Sequence, residues 1–389
     1  MNAFHEAKKP AAVLKHAILD QYVTPFASKT GSTSPGGRVA FIDGYAGPGY
    51  YEDGSEGSAA MLIRKAHELK AMQRPRRAEL HFVEQDAAVA TRLRSVVERE
   101  GQGLEVTVQD GDIAAHLPGL LEHASGIPLF AYLDPCGLII PMDQVASIFH
   151  RPGNPAATEV LINLTAHLRR FGGILSNGKS DKSSVASLKR IDDVCGGTWW
   201  RDAWLEKCPD QEASDDDRTA AELAVVEGYA AKLREHIGVA GSWVIDVRPR
   251  ADLKPIYYLI FATRHVAGMT TFGASSSLGL KAWRKYLAKA AAQDTLFGDG
   301  GAWEEDWKAA EKVLDEQWVR TLVERITAEL EKGQPFSIAG NDEILRDDLA
   351  GVVRNTHFRA AINQVRAAGK TTTETRGVEN CMTLVITPA

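Results

Sequence analysis

A chain of 389 residues has room for two or three domains, each able to bury its own core. With 44% hydrophobic and 25% charged residues it is neither disordered nor fibrous. Its formal net charge of -6, from 45 Lys and Arg against 51 Asp and Glu, excludes a global field drawing it to nucleic acid or anionic lipid. The longest apolar runs, such as residues 256–262, are strand-sized, and no apolar signal core follows the basic N-terminal residues, so a cytoplasmic protein without a membrane partner is expected. Cys136, Cys195, Cys208 and Cys381 are scattered, without metal-ligand spacing or the density of a disulfide scaffold, and no metal is assigned to them.

Residues 9–27 set Val13, Leu14, Ala17, Ile18, Tyr22 and Phe26 near helical spacing, and a Ser/Thr/Gly stretch, 28–37, follows. The reading is a leading helix and linker over residues 1–37. From residue 38 to 265 short β-rich apolar segments alternate, through the first half, with helical ones, which is the pattern of a doubly wound α/β sheet. Seven strands are expected, at residues 39–43, 78–84, 104–109, 128–134, 159–164, 243–247 and 256–262, with crossover helices at 58–72, 87–99, 113–123 and 142–149. Residues 248–255 are too few for a crossover helix, so the last two strands should pair antiparallel. Five parallel strands and a terminal hairpin form the Rossmann-like sheet of class I S-adenosylmethionine-dependent methyltransferases, whereas dinucleotide dehydrogenases usually close with another parallel unit.

The connection from about residue 165 to 240 exceeds an ordinary loop and reads as an inserted helical lobe. Its first part is basic (Arg169, Arg170, Lys179, Lys182, Lys189, Arg190) and the next acidic (Asp210, Glu212, Asp215, Asp216, Asp217). A substrate-facing basic lip through Arg169 and Arg170 and a solvated loop are both open. After residue 265 come a small polar stretch, 268–278, and helical patterns at 281–292 and 303–332, giving a helical connector over 266–318. Residues 319–389 read as a winged helix-turn-helix: helices at 342–349 and 356–368, then a two-stranded wing at 370–376 and 382–387. Arg359, Asn363 and Arg366, with Gln364 beside them and Arg354 and Lys370 flanking, offer donors to a major groove, so DNA or RNA is one expected partner. A docking module is the other reading, because residues 319–389 carry nine basic and nine acidic side chains.

The chemistry sits at the strand ends, where open α/β sheets hold ligands. Asp43-Gly44-Tyr45-Ala46-Gly47-Pro48-Gly49 leaves the first strand; Gly47 and Gly49 permit a sharp turn and close backbone approach, and Asp43 can receive an ammonium group. Glu84 ends the second strand, where a carboxylate accepts from ribose hydroxyls. Asp86 suits a helix cap. Asp112, after the third strand, reads as an adenine ligand or as a cap for the next helix. Together these residues predict S-adenosylmethionine as cofactor. Asp134-Pro135-Cys136-Gly137 ends the fourth strand and resembles the Asp-Pro-Pro-aromatic motif of amino-methyltransferases, in which the Asp and a backbone carbonyl orient a target amine. The alternative is a turn-forming Asx-Pro. Cys136 has the place of the nucleophile of pyrimidine C5-methyltransferases, but the cations that would activate a thiolate cannot be read here, so it is taken as a lining residue. Asn163, at the end of the fifth strand, either holds the strand-four loop or finishes its strand, and His167 follows it.

Lys15-His16-Ala17-Ile18-Leu19, the Phe41–Gly49 loop, Gly57-Ser58, Asp134-Pro135-Cys136-Gly137 and Tyr257–Thr263 resemble the three-Cys-motif partner family over about residues 9–265. These bacterial proteins are named for genomic pairing with a protein bearing a three-cysteine motif, which looks like a radical S-adenosylmethionine enzyme. The resemblance implies a methyltransferase-like fold, an unestablished substrate and such a partner protein. The family motif usually looks like Asp-Pro-Phe-Gly, so Cys136 removes an aromatic ring that would stack on a planar target. The expectation from sequence is methyl transfer to an amine of a nucleic acid or of a nucleic-acid-associated substrate, with a catalytically silent adaptor that recruits the partner enzyme as the alternative.

Overall fold

The computed structural model describes residues 10–135, 137, 140–153, 157–165, 167–238, 241–248, 253–293, 302–345 and 349–389. They divide into two compact units, one of residues 23–269 with the N-terminal residues up to 16, the other of residues 17–22 and 270–389.

The first unit carries the sheet. Helix α1 (Pro10–Thr30) leads in and continues three residues into the expected linker. Then come β1 (Arg38–Asp43), α2 (Ser58–Lys70), β2 (Arg77–Glu84), α3 (Ala87–Glu100), β3 (Glu105–Asp110), α4 (Ile113–His123), β4 (Leu129–Leu133), α5 (Met142–Phe149) and β5 (Thr158–Thr165). β1 and β4 are buried on both faces, as strands covered by crossover helices must be, and that is why they read as continuous apolar runs. Local chemistry starts the helices. Asp86 accepts from the amides of Ala88 and Val89 at the head of α3, and Asp112 from that of Ala114 at the head of α4.

Four helices, α6 (His167–Ser176), α7 (Lys182–Cys195), α8 (Trp199–Lys207) and α9 (Asp215–Ile237), separate β5 from β6 (Gly241–Val247) and β7 (Tyr257–Thr263). The expected inserted lobe has no core of its own: Trp200, Trp204, Val225 and Tyr229 belong to the same buried cluster as Leu133, Ile148 and Ile162. Helix α9 opens with a capping box, Ser214 and Asp217, and ends at Gly238 in the left-handed conformation. Sheet order is β3-β2-β1-β4-β5-β7-β6. The first five strands are parallel, and β7 runs antiparallel to β5 and to β6. Chain direction across the order reverses between β1 and β4, so a crevice opens there at the carboxyl ends. Among the described residues no helix is long and apolar enough to cross a membrane.

In the second unit α10 (Val266–Gln293) begins fifteen residues before the expected helix, because the small polar stretch is helical. Its small residues allow close packing: Ser275 donates to the Gln21 carbonyl, and a Cβ on Gly279 would stand 2.7 Å from Ile18. α11 (Ala302–Glu331) runs through the boundary expected at 318/319. β8 (Phe336–Ser337), α12 (Asp342–Leu345), α13 (Asn355–Ala367) and β9 (Val385–Ile386) follow. The expected wing hairpin is corrected: residues 370–376 form one isolated bridge, Thr371 to Pro388, and β9 pairs with β8.

Candidate cofactor and acceptor site

β1 and β4 end side by side, Asp43 opposite Tyr132, at the reversal point of the sheet. The loop after β1 is tied to both neighbouring strands, the Gly44 amide donating to the Tyr132 carbonyl and the Ala46 amide to that of Val83. Gly47 and Gly49 have φ of 64° and 89°, the left-handed region that favours glycine. Asp43 is fully buried; its Oδ1 accepts from the Tyr45 amide, the Ser58 hydroxyl stands beside the carboxylate, and Oδ2 makes no full hydrogen bond among the described residues. Burial, eased by the Ser58 hydroxyl and the Tyr45 amide and reinforced by Asp134 and Glu84, pushes this carboxyl up to about 7.

Glu84 turns back onto the loop. One oxygen accepts from the Gly47 amide and the other from the Asp86 amide, each at 2.9 Å. A carboxylate has about four acceptor positions, so one remains on each oxygen for a ribose hydroxyl. Tyr45 is half-buried, and burial raises its hydroxyl above the ordinary range. Asp112 is exposed and caps α4 through Ala114. An orphaned buried carboxylate oxygen, a fixed acid at the end of β2 and a left-handed glycine loop fit a cationic nucleoside such as S-adenosylmethionine.

Asp134 stands differently. Lys15, from α1, bonds both of its oxygens at 2.8 and 2.6 Å, Tyr132 donates at 2.7 Å and Asn163 at 2.6 Å. These four hydrogen bonds, from three donor groups, saturate the carboxylate. The Lys15 ammonium also lies 4.6 Å from the centroid of the Tyr257 ring. Burial works to raise the Asp134 carboxyl, but Lys15, Tyr132 and Asn163 together hold it below the ordinary value. Tyr132 goes the other way, raised by burial and then by the adjoining Asp134. Pro135 is buried beside them, and Cys136 lies outside the described residues. Asn163 does hold the strand-four loop. Lys15 was missed as a site residue, since nothing local in the sequence joins it to β4, and Tyr132 and Tyr257 read as ordinary strand residues.

The remaining candidates separate into engaged and open ones. Arg169 is spent on α9, bonding Asp215 at 2.6 Å, Glu222 at 2.9 Å and Thr219 at 2.8 Å. Arg170 is exposed and, with Lys179, Asn177 and Ser183, lines a cavity of about 350 Å³ between α6 and α7. On α13, Arg359 bonds the carbonyls of Thr375 and Val378, Asn363 accepts from the Thr375 hydroxyl at 2.8 Å, and Arg366 pairs with Glu374 at 2.5 Å. The three expected groove readers therefore face their own chain.

No family model and no curated protein matches the sequence. Solved structures similar in fold include M. jannaschii TYW2 in complex with AdoMet, at 9% identity and TM-score 0.27, covering 62% of this chain and 75% of that one. A Listeria monocytogenes protein provisionally described as a class I S-adenosylmethionine-dependent methyltransferase has 9% identity and TM-score 0.32, over 68% of this chain and 62% of its own. The O-methyltransferase TomG of Streptomyces achromogenes, in complex with SAM, has 12% identity and TM-score 0.30, over 66% and 79%. Likenesses this distant assign no residue a role; the strand order and loop geometry above belong to this chain.

Proposed function

We propose that the chain is an S-adenosylmethionine-dependent methyltransferase-like protein, with the donor held at the carboxyl ends of β1, β2 and β3. The observation that carries this reading is Asp43, a buried carboxylate with one oxygen that makes no full hydrogen bond among the described residues, at the point where the sheet reverses. Asp43 with the Gly44–Gly49 loop would take the ammonium end, Glu84 the ribose and Asp112 the adenine. The donor supplies a methyl group already activated on a sulfonium. The chain's own task is therefore alignment of an acceptor more than proton transfer. The acceptor we favour is an amine of a nucleic acid or of a component bound to one, with Arg170 and Lys179, beside the cavity between α6 and α7, as cations available to its phosphates.

A second reading, a catalytically silent adaptor that carries a three-Cys-motif partner, is favoured by one specific observation. Lys15 already occupies the acceptor positions of Asp134. Methyl transfer to an amine at Asp134 requires Lys15 to withdraw, and the adaptor does not.

Calorimetric titration with S-adenosylmethionine tests donor binding. Glu84→Ala should weaken it at least about tenfold, the loss of a hydrogen-bonded charged acceptor. Because burial pushes the Asp43 carboxyl up to about 7, a cationic donor should expel a proton, so affinity should rise from pH 5 to 7 and level off above. Unchanged affinity in Glu84→Ala, with no proton release in buffers of different ionisation heat, would remove the assignment. Labelled donor with separate DNA, RNA and protein fractions then distinguishes transferase from adaptor.

A further inference from the structure

Toward the end of the sheet away from Asp43, β2 sets Glu79 and His81 on one face, as alternate residues of a strand must be. His123, the last residue of α4, lies against them. The two imidazole rings are 5.0 Å apart, edge to face. His123 Nε2 is 3.6 Å from Glu79 Oε2, and one ligand-type atom from each of the three residues falls within 4.8 Å of the others. His81 is 3% exposed, its Nδ1 2.9 Å from the Thr107 hydroxyl on β3 and its Nε2 buried without a hydrogen-bond partner among the described residues. An imidazole nitrogen buried in that state forfeits a hydrogen bond. Burial, with His123 adding to it, lowers His81 to about 4, so the ring is neutral and keeps a lone pair.

We propose that Glu79, His81 and His123 form a binding site for a divalent transition metal of the zinc type, tying the end of α4 to β2 and leaving a fourth position to water. Two imidazoles and a carboxylate are a donor set that zinc takes, while calcium and magnesium prefer oxygen alone. The Thr107 hydroxyl at Nδ1 is the kind of outer contact that fixes a ligating ring. Arg38 bonds both oxygens of Glu79, through Nε to Oε1 and Nη2 to Oε2 at 3.1 Å. Each oxygen has a further lone pair, so Oε1 keeps Arg38 while Oε2 turns to the metal. Tetrahedral zinc sets its donors about 3.3 Å apart, so the cluster, whose donor atoms lie within 4.8 Å of one another, must contract by up to about 1.5 Å. His123, with 58% of its side chain exposed, is free to make that movement. This proposal does not depend on the donor site.

Cobalt(II), the spectroscopic stand-in for zinc, tests the proposal on the full chain. One equivalent should bind with the intense visible absorption of a tetrahedral ion and be displaced by zinc. His123→Ala, at an exposed position that leaves the fold intact by circular dichroism, should weaken binding about a hundredfold, and His81→Gln should abolish the band. No visible band with the wild-type chain, or a band unchanged in His123→Ala, would overturn the proposal. The latter outcome would place the ion on other residues.

Discussion

Lys15 and Asp134 are 119 residues apart in sequence, and their side chains are only 13% and 12% exposed. An ion pair so enclosed gives up hydration on both sides, and it is best tested by removing one partner. Lys15→Met keeps the length of the side chain but strands the Asp134 charge with only Tyr132 and Asn163 as donors. We expect a loss of about 2–4 kcal/mol at neutral pH, somewhat below the usual cost of a fully buried unpaired charge. The pH dependence should change sign as well. In the wild type the Asp134 carboxyl is held below its ordinary value, so its stabilisation is present above the unfolded carboxylate range, near 4, and is lost as pH falls through the lower folded value. Without Lys15, burial governs and the folded value rises. The variant should then lose stability as pH climbs from about 4 toward neutrality. Urea midpoints between pH 3 and 7 check this; parallel curves for the two proteins would show that Lys15 contributes little to the state of Asp134.

Helices α6 and α8 meet through a glycine. A Cβ on Gly172 would fall within the Trp204 indole, whereas one on Gly173 would meet nothing within 4 Å. Trp204 is 1% exposed and donates to the Ser176 hydroxyl, so the ring has nowhere to retreat. Gly172→Ala should therefore cost about 1–3 kcal/mol or more, and Gly173→Ala should gain up to about 1 kcal/mol from helix propensity. Differential scanning calorimetry of the two variants should give melting temperatures on opposite sides of the wild type. No element-level signal in the sequence announced this contact, because glycine reads as a helix weakener whichever face it occupies. The central strands were legible as apolar runs, β1 and β4 above all, β3 and β6 by their β-branched residues, and capping acids such as Asp86 marked helix starts to the residue. The segment 268–278 was not, because Ser and Gly lower helix propensity and only packing, as of Gly279 on Ile18, reverses that. The wing failed for a matter of range. Thr-rich residues 370–376 suit a strand by composition, but β9 takes its ladder from β8, far upstream, where a hairpin reading does not look. In the site, the residues that face the crevice could be placed from strand ends, while Lys15 could not, since its role is set by a tertiary contact alone.

At the scale of the molecule the question is where a chain of net charge -6 would meet a polyanion. Attraction to phosphates supplies most of such affinity, and each neutralised phosphate contributes about 0.9 to the salt slope on duplex DNA and about 0.7 on single strands. Arg359, Asn363 and Arg366 are engaged with residues 374–378, so they have little to offer without breaking bonds that hold the C-terminal unit. Arg169 is neutralised by Asp215 and Glu222. Arg170 and Lys179, by contrast, have no ion-pair partner among the described residues and border the same cavity. Any nucleic-acid binding should then be weak and shallow in salt, with a log–log slope of roughly -2 on duplex. Arg170→Glu combined with Lys179→Glu should remove most of it, while Arg359→Ala should lower the melting temperature of the C-terminal unit and leave binding nearly unchanged. Fluorescence anisotropy with duplex and single-stranded probes at several salt concentrations reads these outcomes directly. A slope steeper than about -5, lost on Arg366→Ala, would instead mean that α13 sheds its own segment and enters a groove.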